Sequence, residues 1–337
     1  MTPRGRSPTP SVDPACRQLC DPHTLTGVET AAETGVELVR ARVPGKINLT
    51  LGVGGTDADG YHRLVTVFQA VSLHDEVIAE WAPDGVTELV TVGRESHLVD
   101  DDASNLAWRA ADLLRRHCDR DLGVRLRVTK DIPVAGGMAG GSADAAGALL
   151  ACSVLWDLDL DPTELRDLGG ELGADVPFGL TGGTAVGTGR GDRVVPALSR
   201  GTCHWVLALS DTGVSTPEVF GRHDELRPDP AEPELPPELL TALGSGRATE
   251  IAPHLFNDLA EATCAIRPDV AETMALAPKV GALTSVLCGS GPTVAFLVAD
   301  EAAAVDVHLR LKAELGSDAH LRRVHGPVPG ARLVNGG

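Results

Sequence analysis

The stretch "PVAGGMAGGSADAAGALLA", residues 133–151, decides how this chain is interpreted, because a glycine cluster runs directly into apolar residues at helical spacing. Four glycines fall within the six residues from Gly136 to Gly141. The alternating pattern "VRLRVTK" at 124–130 predicts a strand just before it. A tight strand–turn–helix unit is therefore favoured over a flexible linker.

Two familiar nucleotide-binding motifs fail on this stretch. The pattern G-x-G-x-x-G requires glycine where Met138 or Ala139 stands. Gly136 and Gly141 have P-loop spacing, but Ser142 follows them where lysine is required. From the residues alone, two interpretations stay open. One is a phosphate site, in which backbone amides at a helix start meet phosphate oxygens, and the other is a tight structural turn. In the first, Ser142 caps the helix or reaches a phosphate or its magnesium ion.

Composition limits the classes of partner. The chain has 337 residues and a formal net charge of −18, with 43% hydrophobic and 3% aromatic residues. Its length predicts about two domains with a core of Leu, Val and Ala. The negative charge argues against nucleic acid and against anionic membrane as partners. No apolar run approaches the ~20 residues of a membrane span, and seven scattered cysteines favour free thiols in the cytoplasm.

Strand and helix patterns mix without a regular βαβ order, which predicts an α+β fold. Residues 1–35 are rich in Pro, Thr and Gly, so we expect a disordered leader there. We place two domains at 36–200 and 201–333. An apolar stripe including Val154 predicts a helix after the glycine cluster, and Pro177 predicts extended backbone at Val176.

At this point a resemblance narrows the interpretation. The glycine stretch resembles the phosphate-binding motif of the GHMP small-molecule kinases. The stretches "PGKINLTLGV" at 44–53 and "LCGSGPTVAFL" at 287–297 resemble that family's N-terminal and C-terminal motifs, in the right order. The resemblance implies a two-domain α+β fold, with a ribosomal-protein-S5-like N-terminal domain and a ferredoxin-like C-terminal domain. It also implies an active site in the cleft between them, and ATP with Mg²⁺ as co-substrate without a tightly bound cofactor.

Three further stretches select members of that family. "DGYH" at 59–62, "LGADVPF" at 172–178 and "FND" at 256–258 are similar to the members that phosphorylate the 2-hydroxyl of a cytidine-diphosphate-linked methylerythritol (CDP-methylerythritol) in the non-mevalonate isoprenoid pathway. The expected partners are this substrate and ATP, and the expected state is a monomer or weak homodimer. A mevalonate or homoserine kinase, or a catalytically inactive ligand sensor, is the alternative.

The resemblance also assigns roles to individual residues. By itself, a lysine near a strand start is typical of a solvated group, and an aspartate after a helix is typical of a solvated or capping group. By resemblance, Lys46 is the catalytic lysine and Asp175 the general base. The substrate-binding residues implied are Asn48, Tyr61, His62 and Phe220. The ATP-binding residues implied are Pro133, Val134, Ala135, Gly136, Gly137, Met138, Ala139, Gly140, Gly141, Ser142 and Ala143. The C-terminal glycine loop is Gly289, Ser290 and Gly291.

Several of these assignments keep a structural alternative. Phe220 fits core packing, and residues 289–291 fit a hairpin turn between strands. The turn "GTGRGD" at 187–192 is a further segment that could approach the substrate. Cys288 and Ala143 depart from the serines that the family carries at these positions, which puts hydroxyl contacts there in doubt. No metal ligands are assigned.

Overall fold

The computed structural model describes residues 38–58 and 60–334. All of them belong to one compact unit. The leader predicted for residues 1–35 and Asp59 of the "DGYH" stretch lie outside the described residues.

The larger sheet has eight strands and is organised around a long antiparallel pair, β1 (Leu38–Thr56) and β2 (His62–Ala82). Its main path runs β12-β1-β2-β4-β3, while β5 pairs with β2 and β6, and β8 pairs with β1. The other six strands are β3 (Thr87–Gly93), β4 (Gly123–Lys130), β5 (Thr184–Gly189), β6 (Arg193–Pro196), β8 (Phe256–Asn257) and β12 (Arg332–Leu333).

The smaller sheet has four antiparallel strands in the order β11-β7-β10-β9. These strands are β7 (Cys203–Leu209), β9 (Thr284–Leu287), β10 (Val294–Val298) and β11 (His320–Gly326). The smaller sheet thus begins close to the domain boundary expected at 200–201. However, β8 and β12 come from later in the chain and pair with β1 in the larger sheet. The domain limits therefore stay a prediction.

Eleven α-helices are present among the described residues, together with short 3₁₀ turns at Ser96–Leu98 and Ala252–His254. None of these helices has the length and apolar character needed to cross a bilayer. They are α1 (Leu106–Cys118), α2 (Gly140–Leu155), α3 (Pro162–Leu172), α4 (Val176–Thr181), α5 (Thr216–Leu226), α6 (Pro237–Ser245), α7 (Ala248–Ile251), α8 (Ala260–Ile266), α9 (Pro268–Met274), α10 (Ala277–Val280) and α11 (Glu301–Leu315).

Helix α2 follows the glycine cluster as predicted, but it does not have a single apolar stripe. It is buried on nearly all sides, and Val154, which we expected inside, is 40% exposed. Small residues let this helix approach the sheet closely: a Cβ at Gly147 would lie 2.6 Å from Val77. Helix α2 is therefore a core element of 16 residues, and the glycine loop directly precedes its N-terminus.

The prediction of extended backbone at Val176 is wrong. Val176 is the first residue of α4, and Pro177 is the second. An amide in the first turn of a helix has no intrahelical acceptor, so proline is tolerated there. As a result, Asp175 lies at the start of a short helix rather than in an extended segment.

Candidate active site

In the glycine loop at 133–139, every second residue from Ala135 to Ala139 has a left-handed backbone conformation. Ala135, Gly137 and Ala139 all have positive φ, at 52°, 78° and 62°. Such alternation turns successive amides toward one side and forms a concave site for anions. Among the described residues, the amides from Ala135 to Ala139 have no protein acceptor. They are therefore available to a ligand, next to the positive end of α2.

Ser142 does not cap α2. The residue at the cap position is Ala139, which has no side-chain acceptor. Ser142 lies one turn further on and lines a cavity of about 400 Å³ with the glycine loop. Of the two roles that the sequence left open for its hydroxyl, capping is excluded, and contact with a phosphate or its metal ion remains.

The two glycine loops touch each other. Residues 289–291 form the turn between β9 and β10, so the hairpin interpretation is correct as local structure. The same turn packs on the first loop so tightly that a Cβ at Gly137 would lie 1.9 Å from the Cys288 carbonyl oxygen. Segments about 150 residues apart in the sequence thus form one wall of the cavity.

Lys46 and Asn48 share one face of β1, as their spacing predicts. The Lys46 ammonium donates to Asn48 Oδ1 at 2.8 Å, and its backbone amide donates to the Met138 carbonyl of the glycine loop. Asn48 Oδ1 also accepts from the Gly289 amide, and its Nδ2 donates to Thr66. The Asn48 carboxamide therefore joins β1 to the second glycine loop, and its contact with substrate stays a prediction.

Lys46 and Asp175 meet at the floor of the cavity. The Lys46 Nζ lies 3.8 Å from Asp175 Oδ2, and their side chains are 7% and 31% exposed. Ring Phe68 lies below the ammonium at 5.5 Å from its centroid. Lys46 is therefore not the solvated lysine that a strand start alone would indicate. The pair therefore places a buried cation beside a partly exposed carboxylate in the lining of the cavity.

A second cavity, of about 800 Å³, adjoins the first. Tyr61, His62 and Phe220 line it, and Tyr61 is 55% exposed. The His62 ring stacks on Phe220 with centroids 4.8 Å apart, and His62 Nε2 lies 2.7 Å from Asp224 Oδ1. Phe220 also packs against a small apolar cluster that includes Val219, so its packing role is confirmed, and its contact with substrate stays a prediction.

The "FND" stretch supports the second glycine loop from behind. Asn257 Nδ2 donates to the carbonyls of Leu287 and Gly289 at 2.9 and 2.7 Å. The next residue, Asp258, accepts from the Val53 amide of β1. The sequence marked this stretch by resemblance only, because such contacts depend on pairing that a local pattern does not show.

A buried ionic cluster beneath the first glycine loop was missed by the sequence interpretation. Lys130 donates to Asp75 and Asp144 at 2.5 and 2.7 Å. Burial opposes the charge of Lys130, yet the two carboxylates outweigh it and raise the lysine pKa. Asp75 also accepts from the amides of Asp131 and Ile132, which fixes the chain just before the loop. The acidic residue inside the apolar run of α2, Asp144, was the available signal.

Cys288 is fully buried and lines neither cavity. Burial raises the pKa of its thiol to about 12 against the opposing effect of nearby Lys46, so the thiol is protonated near neutrality. Its contribution to the site is the backbone carbonyl against Gly137. The departure from serine therefore changes a buried side chain and leaves the loop intact.

The fold and the two loops are those of a phosphate-binding small-molecule kinase, and comparison with known families agrees. Residues 105–185 match the GHMP kinases N terminal domain, and residues 239–317 match the GHMP kinases C terminal domain. A homoserine kinase from Cytophaga hutchinsonii shares the fold, with a TM-score of 0.68 at 14% identity over 89% of this chain and 98% of that one. The class of protein is thus a GHMP kinase with a two-domain α+β fold.

Within that class, the chain belongs to the 4-diphosphocytidyl-2-C-methyl-D-erythritol kinase family. The kinase of that name from Rhodococcus jostii is 48% identical over 88% of this chain and 95% of its own. The one from Thermobifida fusca is 48% identical over 88% and 98%. A crystal structure of 4-(cytidine 5'-diphospho)-2C-methyl-D-erythritol kinase superposes with a TM-score of 0.69 at 29% identity, covering 88% of this chain and all of that one.

Proposed function

We propose that this protein transfers the γ-phosphoryl group of ATP to the 2-hydroxyl of CDP-methylerythritol, giving the 2-phosphate and ADP in the non-mevalonate isoprenoid pathway. One observation carries the assignment of the site. The Lys46–Asp175 pair lies in the cavity whose wall is the glycine loop, and that cavity opens onto a second one lined by Tyr61, His62 and Phe220. ATP phosphates occupy the first cavity, and the cytidine end of the substrate occupies the second.

In this proposal Asp175 accepts the proton of the substrate hydroxyl as that oxygen attacks the γ-phosphorus. Phosphoryl transfer depends on an oriented nucleophile and on neutralising charge on the transferring group. Lys46 supplies a cation 3.8 Å from the carboxylate, where it neutralises charge on the transferring phosphoryl group. The loop amides between Ala135 and Ala139 hold the phosphates without a P-loop lysine.

The residues present fit a magnesium ion carried by ATP. Mg²⁺ keeps several waters and takes only one or two protein oxygens besides the phosphates. Ser142 is placed to supply such an oxygen, beside the glycine loop. No cluster of three or more His, Cys, Asp or Glu able to hold a metal occurs in the described part of the chain. When bound, the ion neutralises phosphate charge.

Tyr61→Ala is expected to raise the KM for CDP-methylerythritol about tenfold or more, on the scale of about 1–3 kcal/mol for base stacking on an aromatic ring. The KM for ATP should change less than twofold, because Tyr61 does not line the glycine-loop cavity. Steady-state kinetics in both substrates measures the two constants. An unchanged KM for CDP-methylerythritol would assign the ring a packing role instead.

We further propose a cytoplasmic enzyme that works as a monomer or weak homodimer. The −18 net charge disfavours nucleic acid and anionic membrane as partners, and the five cysteines described are free thiols. Sedimentation at micromolar concentration measures the oligomeric state, and a stable trimer or tetramer would refute this part.

A substrate panel tests the activity. ADP release with ATP and Mg²⁺ is measured in the presence of CDP-methylerythritol, mevalonate or homoserine. We expect turnover with the first compound only. ADP release with mevalonate or homoserine alone would move the protein to another branch of the GHMP kinases. Binding of CDP-methylerythritol by calorimetry without any turnover would instead indicate a ligand sensor.

A further inference from the structure

Arg190 occupies the junction of the two cavities. It is one of five residues that line both, with Leu64, Ala174, Thr216 and Phe220, and it is the one lysine or arginine among the residues described as lining both. In the proposed mechanism, Lys46 and Asp175 act at the reacting hydroxyl in the first cavity. The rings of Tyr61, His62 and Phe220 bind the cytosine base in the second. The mechanism above leaves the cation between them without a role.

Two glycines shape the turn that carries Arg190. Arg190 lies in the tight turn between β5 and β6, between Gly189 and Gly191, whose φ angles of 72° and 92° are left-handed. Its amide donates to Asp192 Oδ1 at 3.1 Å. Residues with side chains rarely adopt such φ values, so the two glycines permit the turn that presents Arg190. The turn therefore directs the Arg190 side chain to the junction of the two cavities.

The guanidinium lies over the Tyr61 ring, 4.9 Å from its centroid. Its ion pair with Asp192 Oδ2 is long, at 3.5 Å, and the arginine side chain is 43% exposed. An exposed ion pair of this kind contributes little. Lys46, by contrast, is buried and already bonded to Asn48. The Arg190 guanidinium can therefore replace its weak ion pair with Asp192 by an ion pair with a ligand anion, at little cost to the stability of the fold.

We propose that Arg190 binds the diphosphate of the nucleotide-linked substrate. The inference rests on the proposed function, since a substrate with its base in one cavity and its reacting hydroxyl in the other must pass its two phosphates through the junction. Two phosphates in a chain of net charge −18 need a local cation, and a guanidinium binds phosphate oxygens in a bidentate manner. From its position over Tyr61, Arg190 joins recognition of the base to recognition of the diphosphate.

Binding of CDP and of cytidine, measured by calorimetry and by ligand-observed NMR, separates this role from a structural one. Arg190→Gln should weaken CDP binding about tenfold or more, the scale for losing hydrogen bonds to a charged group. Cytidine binding should change less than twofold, because cytidine carries no phosphate. Arg190→Lys keeps the positive charge but loses the planar guanidinium that binds in a bidentate manner. Its CDP affinity should lie between those of the wild type and of Arg190→Gln. Arg193→Gln removes an exposed arginine of the same hairpin that lines neither cavity, and should leave both affinities unchanged.

Equal losses for CDP and cytidine in Arg190→Gln would overturn the proposal and assign Arg190 to packing on Tyr61. Unchanged CDP binding, or a wild-type protein that does not bind CDP, would overturn it as well. These experiments do not involve the alcohol or ATP. Selective loss of CDP binding in Arg190→Gln would support the diphosphate contact. If the wild-type protein at the same time showed no turnover of CDP-methylerythritol, the proposed reaction alone would be refuted.

Discussion

Asp175→Asn is expected to lower kcat by about 10² or more while leaving the KM for CDP-methylerythritol within a few-fold of the wild-type value. Asparagine keeps the shape of the side chain but cannot accept the hydroxyl proton. The carboxylate lies 3.8 Å from the Lys46 ammonium at the floor of the cavity, so the substitution also removes the partner of a buried cation. Initial rates at saturating ATP measure the effect.

The matched control for this variant is Asp167→Asn. Asp167 is an exposed carboxylate on α3, only eight residues earlier, and it does not line the glycine-loop cavity. Its replacement removes the same charge from the protein and should leave kcat unchanged. Near-wild-type turnover by Asp175→Asn would remove Asp175 from the role of general base and leave proton transfer to another group.

Gly137→Ala is expected to have the second large effect, through the contact between the two glycine loops. The new Cβ would lie 1.9 Å from the Cys288 carbonyl oxygen and 3.0 Å from the Gly291 amide nitrogen. Both neighbours are backbone atoms, so one loop must move. We expect a loss of thermal stability of several degrees and at least a tenfold rise in the KM for ATP, because the amides that face the phosphates are displaced.

Gly183→Ala provides the control for backbone strain. Gly183 also has a left-handed φ, 67°, close to the 78° of Gly137, but a Cβ there would meet nothing within 4 Å. The two substitutions therefore share the cost of a left-handed alanine, about 1 kcal/mol, and differ in the clash. Equal melting temperatures and equal ATP KM values for the two variants would contradict the role given to the loop contact.

Local patterns predicted those parts of the site that are held by local geometry. The glycine cluster between a strand and a helix was visible in the sequence, and strand alternation put Lys46 and Asn48 on one face. The position of Asp175 near Lys46 was available only through resemblance, because it requires α4 to pack against β1 from more than a hundred residues away.

The features that local patterns missed all depend on contacts between distant segments. Asn257 behind the second loop and the Lys130 cluster beneath the first have partners in distant segments. The turn at 187–192 was singled out in the sequence, but the position of Arg190 between the two cavities depends on the fold. The helix at Val176 was missed for a different reason. A proline disfavours helix in the residue before it, but the first turn of α4 accommodates proline at its second position.

The central claim is that the protein phosphorylates one hydroxyl of a CDP-linked alcohol at the Lys46–Asp175 pair. ³¹P NMR of the products formed from CDP-methylerythritol and ATP tests it most directly, with Asp175→Asn run alongside. We predict a new phosphomonoester signal, coupled to the carbon at position 2, next to an intact diphosphate and in equal amount to ADP, and only a trace of it with the variant. A phosphate on another hydroxyl, a cleaved diphosphate, or ADP formed without a new phosphoester would contradict the claim.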